Sequence, residues 1–273
     1  VAWCDRFRER LPVAARERDV ETSFGRTHVL DAGPEGAPPF VVLHGALASS
    51  AHLLPELSAL TKDRRIVAVD VLGQSALSDD RRIDVRDGSY GRWLVEVVDA
   101  LGLDHFDLLG VSWGGFVAKE AAKAAPERVR HLVLMVPAGF VASSAWAGFR
   151  DVGWPLLAYR AFPSEARLER LVGALLTDPD EHWTRYLGDA VRSYRLDMRI
   201  PPLERDLSSI RCPTLVYGAE HDASFPGGAL LARARELLPH AETELLLGSK
   251  HSPPMTPAFR ARTAERLDRF LSS

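Results

Sequence analysis

Short apolar or β-branched runs recur along the chain at Thr27–Leu30, Phe40–Leu43, Ile66–Val69, Phe106–Leu109, Leu132–Val136, Leu215–Tyr217 and Leu245–Leu247. Longer stretches with helix-like spacing separate them, around Ala51–Leu60, Gly91–Leu101, Phe116–Ala125, Ala229–Leu238 and Phe259–Leu271. Runs without polar alternation predict strands buried on both faces, and their alternation with helices predicts a mostly parallel sheet covered on each side. Between about Gly139 and Leu207 the pattern changes. Strands vanish, and Trp146, Phe149, Trp154, Tyr159, Phe162, Trp183, Tyr186 and Tyr194 appear among helix-like runs. This reads as a helical insertion, residues 139–207, in an α/β core made of residues 1–138 and 208–273. Gly33-Pro34-Glu35-Gly36 and Pro38-Pro39 read as a turn between strands, not as a domain linker.

The apolar run ending at Leu109 leads straight into Gly110-Val111-Ser112-Trp113-Gly114-Gly115 and then a helix-like segment. A strand that turns at once into a helix must pinch its backbone, and flanking glycines allow the close approach while the serine points outward. Ser112 is therefore the candidate nucleophile. In the following helix Phe116, Val117, Ala121 and Ala124 share one face, with Lys119, Glu120 and Lys123 expected on another, and Pro126 marks the end. An activated serine needs a base, and the base an orienting acid. Thr214–Tyr217 runs into a loop that carries Asp222, the candidate acid, with Asp206, Asp178 or Asp180 as substitutes if that loop folds differently. Leu245–Leu247 leads through Gly248-Ser249-Lys250 to His251, the candidate base, before Pro253 and Pro254. Loops at the carboxyl ends of parallel strands gather on one edge, so such distant residues can converge. Phe40–Leu43 runs into His44-Gly45-Ala46, and the Ala46 and Trp113 N–H groups are the candidate oxyanion donors, with a helix N-terminus aimed at the same spot. His44 is read as shaping that turn, and His28, His105 and His131 as bordering strands. Asp70 is read as fixing its own turn by hydrogen bonds.

Taken together, His44-Gly45, the elbow at Ser112, the acid loop and the His251 loop resemble, in order, the motifs of the capped α/β-hydrolase-fold family, from about Val29 to Phe270. Asp70-Val-Leu-Gly73-Gln-Ser-Ala-Leu-Ser78 resembles the family's Asp-x-x-Gly turn. Two positions depart: Ser75 or Ala76 stands where a second glycine is usual, and Lys250 where a small residue often precedes the histidine. Asp70–Gly73, Trp93-Leu94 and Val136-Pro137-Ala138 are similar to bacterial carboxylesterase-like members, and the elbow to that of intracellular polyhydroxyalkanoate depolymerases, which points to lipophilic acyl esters. The resemblance implies a helical cap inserted after the sixth strand and overhanging Ser112. It also implies a serine hydrolase acting through an acyl-enzyme on a small or medium ester. A thioesterase, a lactonase and a C–C bond hydrolase would use the same triad, and a catalytically idle ligand-binding protein is the rival from another class.

Composition narrows the partners. The chain has 273 residues, 46% of them hydrophobic, enough for a substantial core. With 34 Lys and Arg against 37 Asp and Glu, the net charge of −3 gives no bulk reason to expect nucleic acid. The expected partner is a small-molecule substrate. No run approaches the roughly 20 apolar residues that span a bilayer, and the amino terminus, with Asp5, Arg6, Arg8, Glu9 and Arg10, has no signal-peptide core, so no membrane partner and a cytoplasmic location are expected. Cys4, in an exposed-looking amino terminus, and Cys212, opening a buried strand, predict no disulfide. No metal-ligand spacing occurs, and neither metal nor cofactor is expected. Trp146 and Trp154 are the candidate substrate contacts in the cap. Its arginines, from Arg150 to Arg195 and Arg199, are expected to be offset by acids such as Glu165, Asp189 and Asp197.

Overall fold

In the computed structural model, which describes residues 1–194, 199 and 201–273, the chain enters through α1 (Ala2–Arg8), β1 (Ala15–Thr22), β2 (Gly25–Ala32) and β3 (Pro39–Leu43). It continues through α2 (Ser50–Leu57), β4 (Arg65–Val69), α3 (Ser89–Ala100), β5 (Phe106–Val111), α4 (Trp113–Ala124) and β6 (Val129–Met135). Next come α5 (Ala145–Gly148), a π-helical turn over Phe149–Gly153, α6 (Trp154–Ala161), α7 (Glu165–Leu175) and α8 (Glu181–Ser193). The chain closes with β7 (Thr214–Ala219), α9 (Gly227–Leu237), β8 (Glu242–Leu246) and α10 (Pro257–Leu271).

Strand alternation splits the core in two. In β3, Val41 and Leu43 join one apolar cluster with α3, α4 and α9, while Phe40 and Val42 join another with α2 and α10. The strand order is β1-β2-β4-β3-β5-β6-β7-β8, antiparallel for β1 with β2 and β2 with β4 and parallel elsewhere. The chain therefore steps from β3 to β4 on one side and to β5 on the other. The crevice beyond the carboxyl ends of β3 and β5 is the topological switch point, where open α/β sheets place their ligands.

Several expectations need correction. Strand β1 has no apolar run, because of its eight residues only Val20 is buried; a charged edge strand resists pairing with other chains and leaves no hydrophobic signature. Counting it makes β6 the sixth strand, although it is the fifth apolar run. Strand β8 lies at Glu242–Leu246, not Leu245–Leu247, and Leu247 is 74% exposed beyond its end. The amino terminus is not exposed throughout: α1 buries Cys4 and Phe7, and Phe7 packs on His52 and Trp183. Cys212 is half-buried and precedes β7. The expected polar face of α4 is largely covered, with Lys119 fully buried, Glu120 nearly so and Lys123 one-third exposed, whereas Ala124, expected on the buried face, is exposed.

Lys119 is covered where the chain leaves β6 and where it returns. Glu204 N–H donates to Gly139 O at 2.7 Å, joining the two crossings, and Lys119 Nζ pairs with Glu204 Oε1 at 3.1 Å. Between these crossings, α6, α7 and α8 build a separate small core of Tyr159, Leu168, Leu171, Val172, Leu176, Leu187 and Val191. Leu47, from the turn after β3, packs against that core, and the Tyr186 hydroxyl donates to Leu47 O. Exposed ion pairs Arg150–Asp151 and Arg185–Glu181 dress the helices; Arg195 and Asp197 lie outside the described residues. Among the described residues, no helix is long and apolar enough to cross a membrane.

Candidate active site

Ser112 sits at the N-cap of α4 with φ 52° and ψ −111°, a conformation costly for a residue with a Cβ and held here by crowding. A Cβ on Gly110 would lie 2.2 Å from Gly114 O, and one on Gly114 would lie 2.4 Å from Leu43 O, so strand and helix approach as only glycine allows. Ser112 N–H donates to Met135 O at 2.9 Å, and Ser112 O accepts from Gly115, Phe116 and Ala138. The backbone at the elbow is thus satisfied while the side chain faces outward.

Ser112 Oγ–H donates to His251 Nε2 at 2.9 Å, and His251 Nδ1–H donates to Asp222 Oδ2 at 2.8 Å. This direction assigns the tautomer, because a carboxylate can only accept. The other oxygen of Asp222, Oδ1, accepts from Ser224 N–H at 2.7 Å and Phe225 N–H at 3.0 Å. The Asp222 side chain is wholly buried, whereas that of His251 is 21% exposed, open to a reacting group at the edge. The Phe225 ring stands edge-on to the imidazole at 5.4 Å. Of the other acids considered, Asp206 accepts from Ser208 N–H and Asp180 caps α8 through Trp183 N–H, both exposed, and Asp178 is exposed with φ 47°. None of these three bonds to His251.

Ala46 lies beside this line, since a Cβ on the preceding Gly45 would come 3.3 Å from Ser112 Cβ. Burial lowers the pKa of His44, and its neutral ring accepts from Val71 N–H through Nε2 at 3.0 Å. Its proton is therefore on Nδ1, which donates to Gly45 O at 2.7 Å. Gly45 C=O and Ala46 N–H belong to one trans peptide, so fastening the carbonyl turns the N–H the opposite way. Trp113 N–H is the first amide of α4 and has no carbonyl partner within the helix.

Asp70 is completely buried behind this turn. Burial alone would raise its pKa, but donors override it: His28 Nδ1–H at 2.7 Å, Ser75 Oγ–H at 2.6 Å, and Ser50 through both N–H at 3.0 Å and Oγ–H at 2.5 Å. The carboxyl is held below the usual range. For His28, burial works to lower the pKa and the Asp70 bond outweighs it, leaving it raised. Ser75, one of the two residues at the position where a glycine is usual, thus supplies a donor. His28 lies within β2, not at its border as expected, and sequence reasoning missed its role because nothing local marks a mid-strand histidine as the partner of a carboxylate 42 positions on.

Trp146 and Trp154 are not brought to Ser112. They are 70% and 53% exposed, and their ring contacts run to Phe149. Among the described residues, no group of three or more His, Cys, Asp or Glu is arranged to hold a metal ion.

A family model for the alpha/beta hydrolase fold matches residues 38–177. The chain is 28% identical over 253 residues to carboxylesterase YbfK of Bacillus subtilis (strain 168), covering 88% of this chain and 83% of that protein. It is 26% identical over 255 residues to the same strain's "uncharacterized carboxylesterase nap", covering 88% and 82%. Among solved structures, it is similar to naproxen esterase (carboxylesterase NP) from Bacillus subtilis, with a TM-score of 0.84 and 26% identity over 98% of this chain and 95% of that one.

Proposed function

The chain belongs to the α/β-hydrolase-fold family, and from that premise we propose that it cleaves small or medium, lipophilic carboxylic esters through an acyl-enzyme on Ser112. Its carboxylesterase relatives place it among ester-hydrolysing enzymes. The observation that carries the mechanism is the unbroken line from Ser112 Oγ through His251 to Asp222.

As Ser112 Oγ attacks the ester carbonyl carbon, its proton passes to His251 Nε2, and Asp222 holds the tautomer and steadies the imidazolium. The carbonyl oxygen becomes anionic against Ala46 N–H and Trp113 N–H, each such donor being worth about 2.7–4 kcal/mol in the transition state. Collapse expels the alcohol, which takes the proton from His251. A water then gives its proton to His251 and attacks the acyl carbon, and Ser112 leaves reprotonated with the carboxylic acid released. A lipophilic acyl group is supported by the Phe225 ring, which sets an apolar edge beside the His251 imidazole at 5.4 Å. The proposed compartment is the cytoplasm, which suits two unpaired cysteines.

A fluorophosphonate probe should label Ser112, and Ser112→Ala should lower kcat by about 10⁵-fold or more on p-nitrophenyl esters of graded chain length. Equal turnover by wild type and variant would overturn the reading. Thioesters, lactones and vinylogous diketones in the same panel test the alternative bonds, and preference for one of these over every ester would displace the carboxylic ester.

A further inference from the structure

The loop that carries His251 is fastened to the helical insertion at one short stretch, Leu175 to Thr177. Thr177 lies between α7 and α8, and Lys250 N–H donates to its Oγ1 at 2.8 Å. Thr177 N–H donates to Ser252 O at 3.1 Å, and Ser252 N–H donates to Leu175 O at 2.8 Å, forming a parallel bridge of Leu176 with Ser252. The neighbours of His251 on both sides are thus bound to the same three residues. Beyond them stand Pro253 and Pro254, which have no N–H to donate, so the loop cannot be braced by its own amides there.

Leu176 also belongs to the insertion's small core, against which Leu47 of the turn after β3 packs. One body therefore touches the oxyanion turn and the base loop together. We infer that Thr177 is a positioning residue for His251, holding the imidazole in line with Ser112 through the Lys250 amide. This rests on reading His251 as the base of the proposed esterase. Thr177 touches neither substrate nor the reacting atoms, so its effect passes through the placement of the base.

Thr177→Val keeps the shape and the backbone N–H but removes the acceptor for Lys250 N–H, and Thr177→Ser keeps the hydroxyl. In the full-length protein with p-nitrophenyl butyrate, Thr177→Val should lower kcat by about five- to tenfold, the scale of one lost buried hydrogen bond, with KM within about twofold. Thr177→Ser should restore kcat to within about twofold. Should the valine variant not fold, Thr177→Ala removes the same acceptor without added bulk. The His251 imidazole titration, followed by NMR, should shift in the valine or alanine variant and return in the serine variant; this readout needs no turnover. If wild type cleaves no ester while the titration still shifts, the esterase reading falls and the brace stands. Unchanged kcat and titration in the valine variant, a rise in KM alone, or failure of serine to restore the rate would each overturn the inference.

Discussion

Crowding holds Ser112, whereas hydrogen bonds hold His251. At the elbow, strand, helix and the end of β3 touch so closely that a single added Cβ would sit 2.2–2.4 Å from a carbonyl oxygen. At the base loop there is no such wall. The imidazole is 21% exposed, and its place depends on Asp222 and on bonds from Lys250 and Ser252 to the insertion. The difference suits the two roles. Steric locking stores the costly φ of Ser112, the proposed nucleophile, while polar restraints would leave His251, the proposed base, able to shift as it exchanges protons in the proposed reaction.

The largest expected break in this contrast is Asp222→Asn. Asparagine can still accept from Ser224 and Phe225 N–H, so the loop keeps its shape, but the charge that steadies the imidazolium and selects its tautomer is lost. By analogy with the serine-protease triad, kcat should fall by about ten-thousandfold with little change in melting temperature. Retention of a tenth of the activity would mean that the bonds to the insertion alone seat the base.

At the elbow, the corresponding break appears in stability. Gly114→Ala would push a Cβ to 2.4 Å from Leu43 O and 2.6 Å from His44 O, backbone atoms that cannot swing aside. Denaturant unfolding should show a loss of about 3 kcal/mol or more. The folded fraction should also be slowed, because displacing His44 carries Gly45 and Ala46 with it. A variant of wild-type stability and rate would show that the elbow is not sterically locked.

The same contrast explains what the sequence disclosed. Ser112, Asp222 and His251 each follow an apolar run at the point where it meets a turn, so local pattern marks them and the order of the loops brings them to one edge. Strands β3 to β7 were legible for the same reason: both faces are buried, and the run of apolar residues is nearly unbroken. β1 was invisible because a charged edge strand buries only Val20. Thr177 was invisible because its partner lies 73 positions away and no spacing rule links a helix end to a distant amide. Lys119 was misread, since a lysine at helical spacing opposite apolar positions is ordinarily solvated; here the covering carboxylate, Glu204, arrives from the far end of the insertion.

Lys119 sharpens the comparison at the smallest scale, because charge, not crowding, joins the middle of α4 to the neck of the insertion. Burial pushes its pKa down to about 8 despite the attraction of Glu204 and Glu120. The ion pair therefore does not repay its desolvation. Unfolding returns the lysine to its ordinary value of about 10.5, so between pH 8 and 10.5 the unfolded chain holds a proton that the folded chain has shed. Stability from this residue should rise with pH through that window, by on the order of 1 kcal/mol per pH unit. Other groups, among them Tyr194 and Tyr217 with raised pKa values, contribute slopes of their own that wild type and Lys119→Met share. Urea unfolding of both proteins at pH 7.5 and 9.5 isolates the lysine: wild type should gain on the variant as pH rises. If wild type instead loses ground, the charged pair is a net stabiliser, and attraction to Glu204 outweighs the desolvation of Lys119 at the neck.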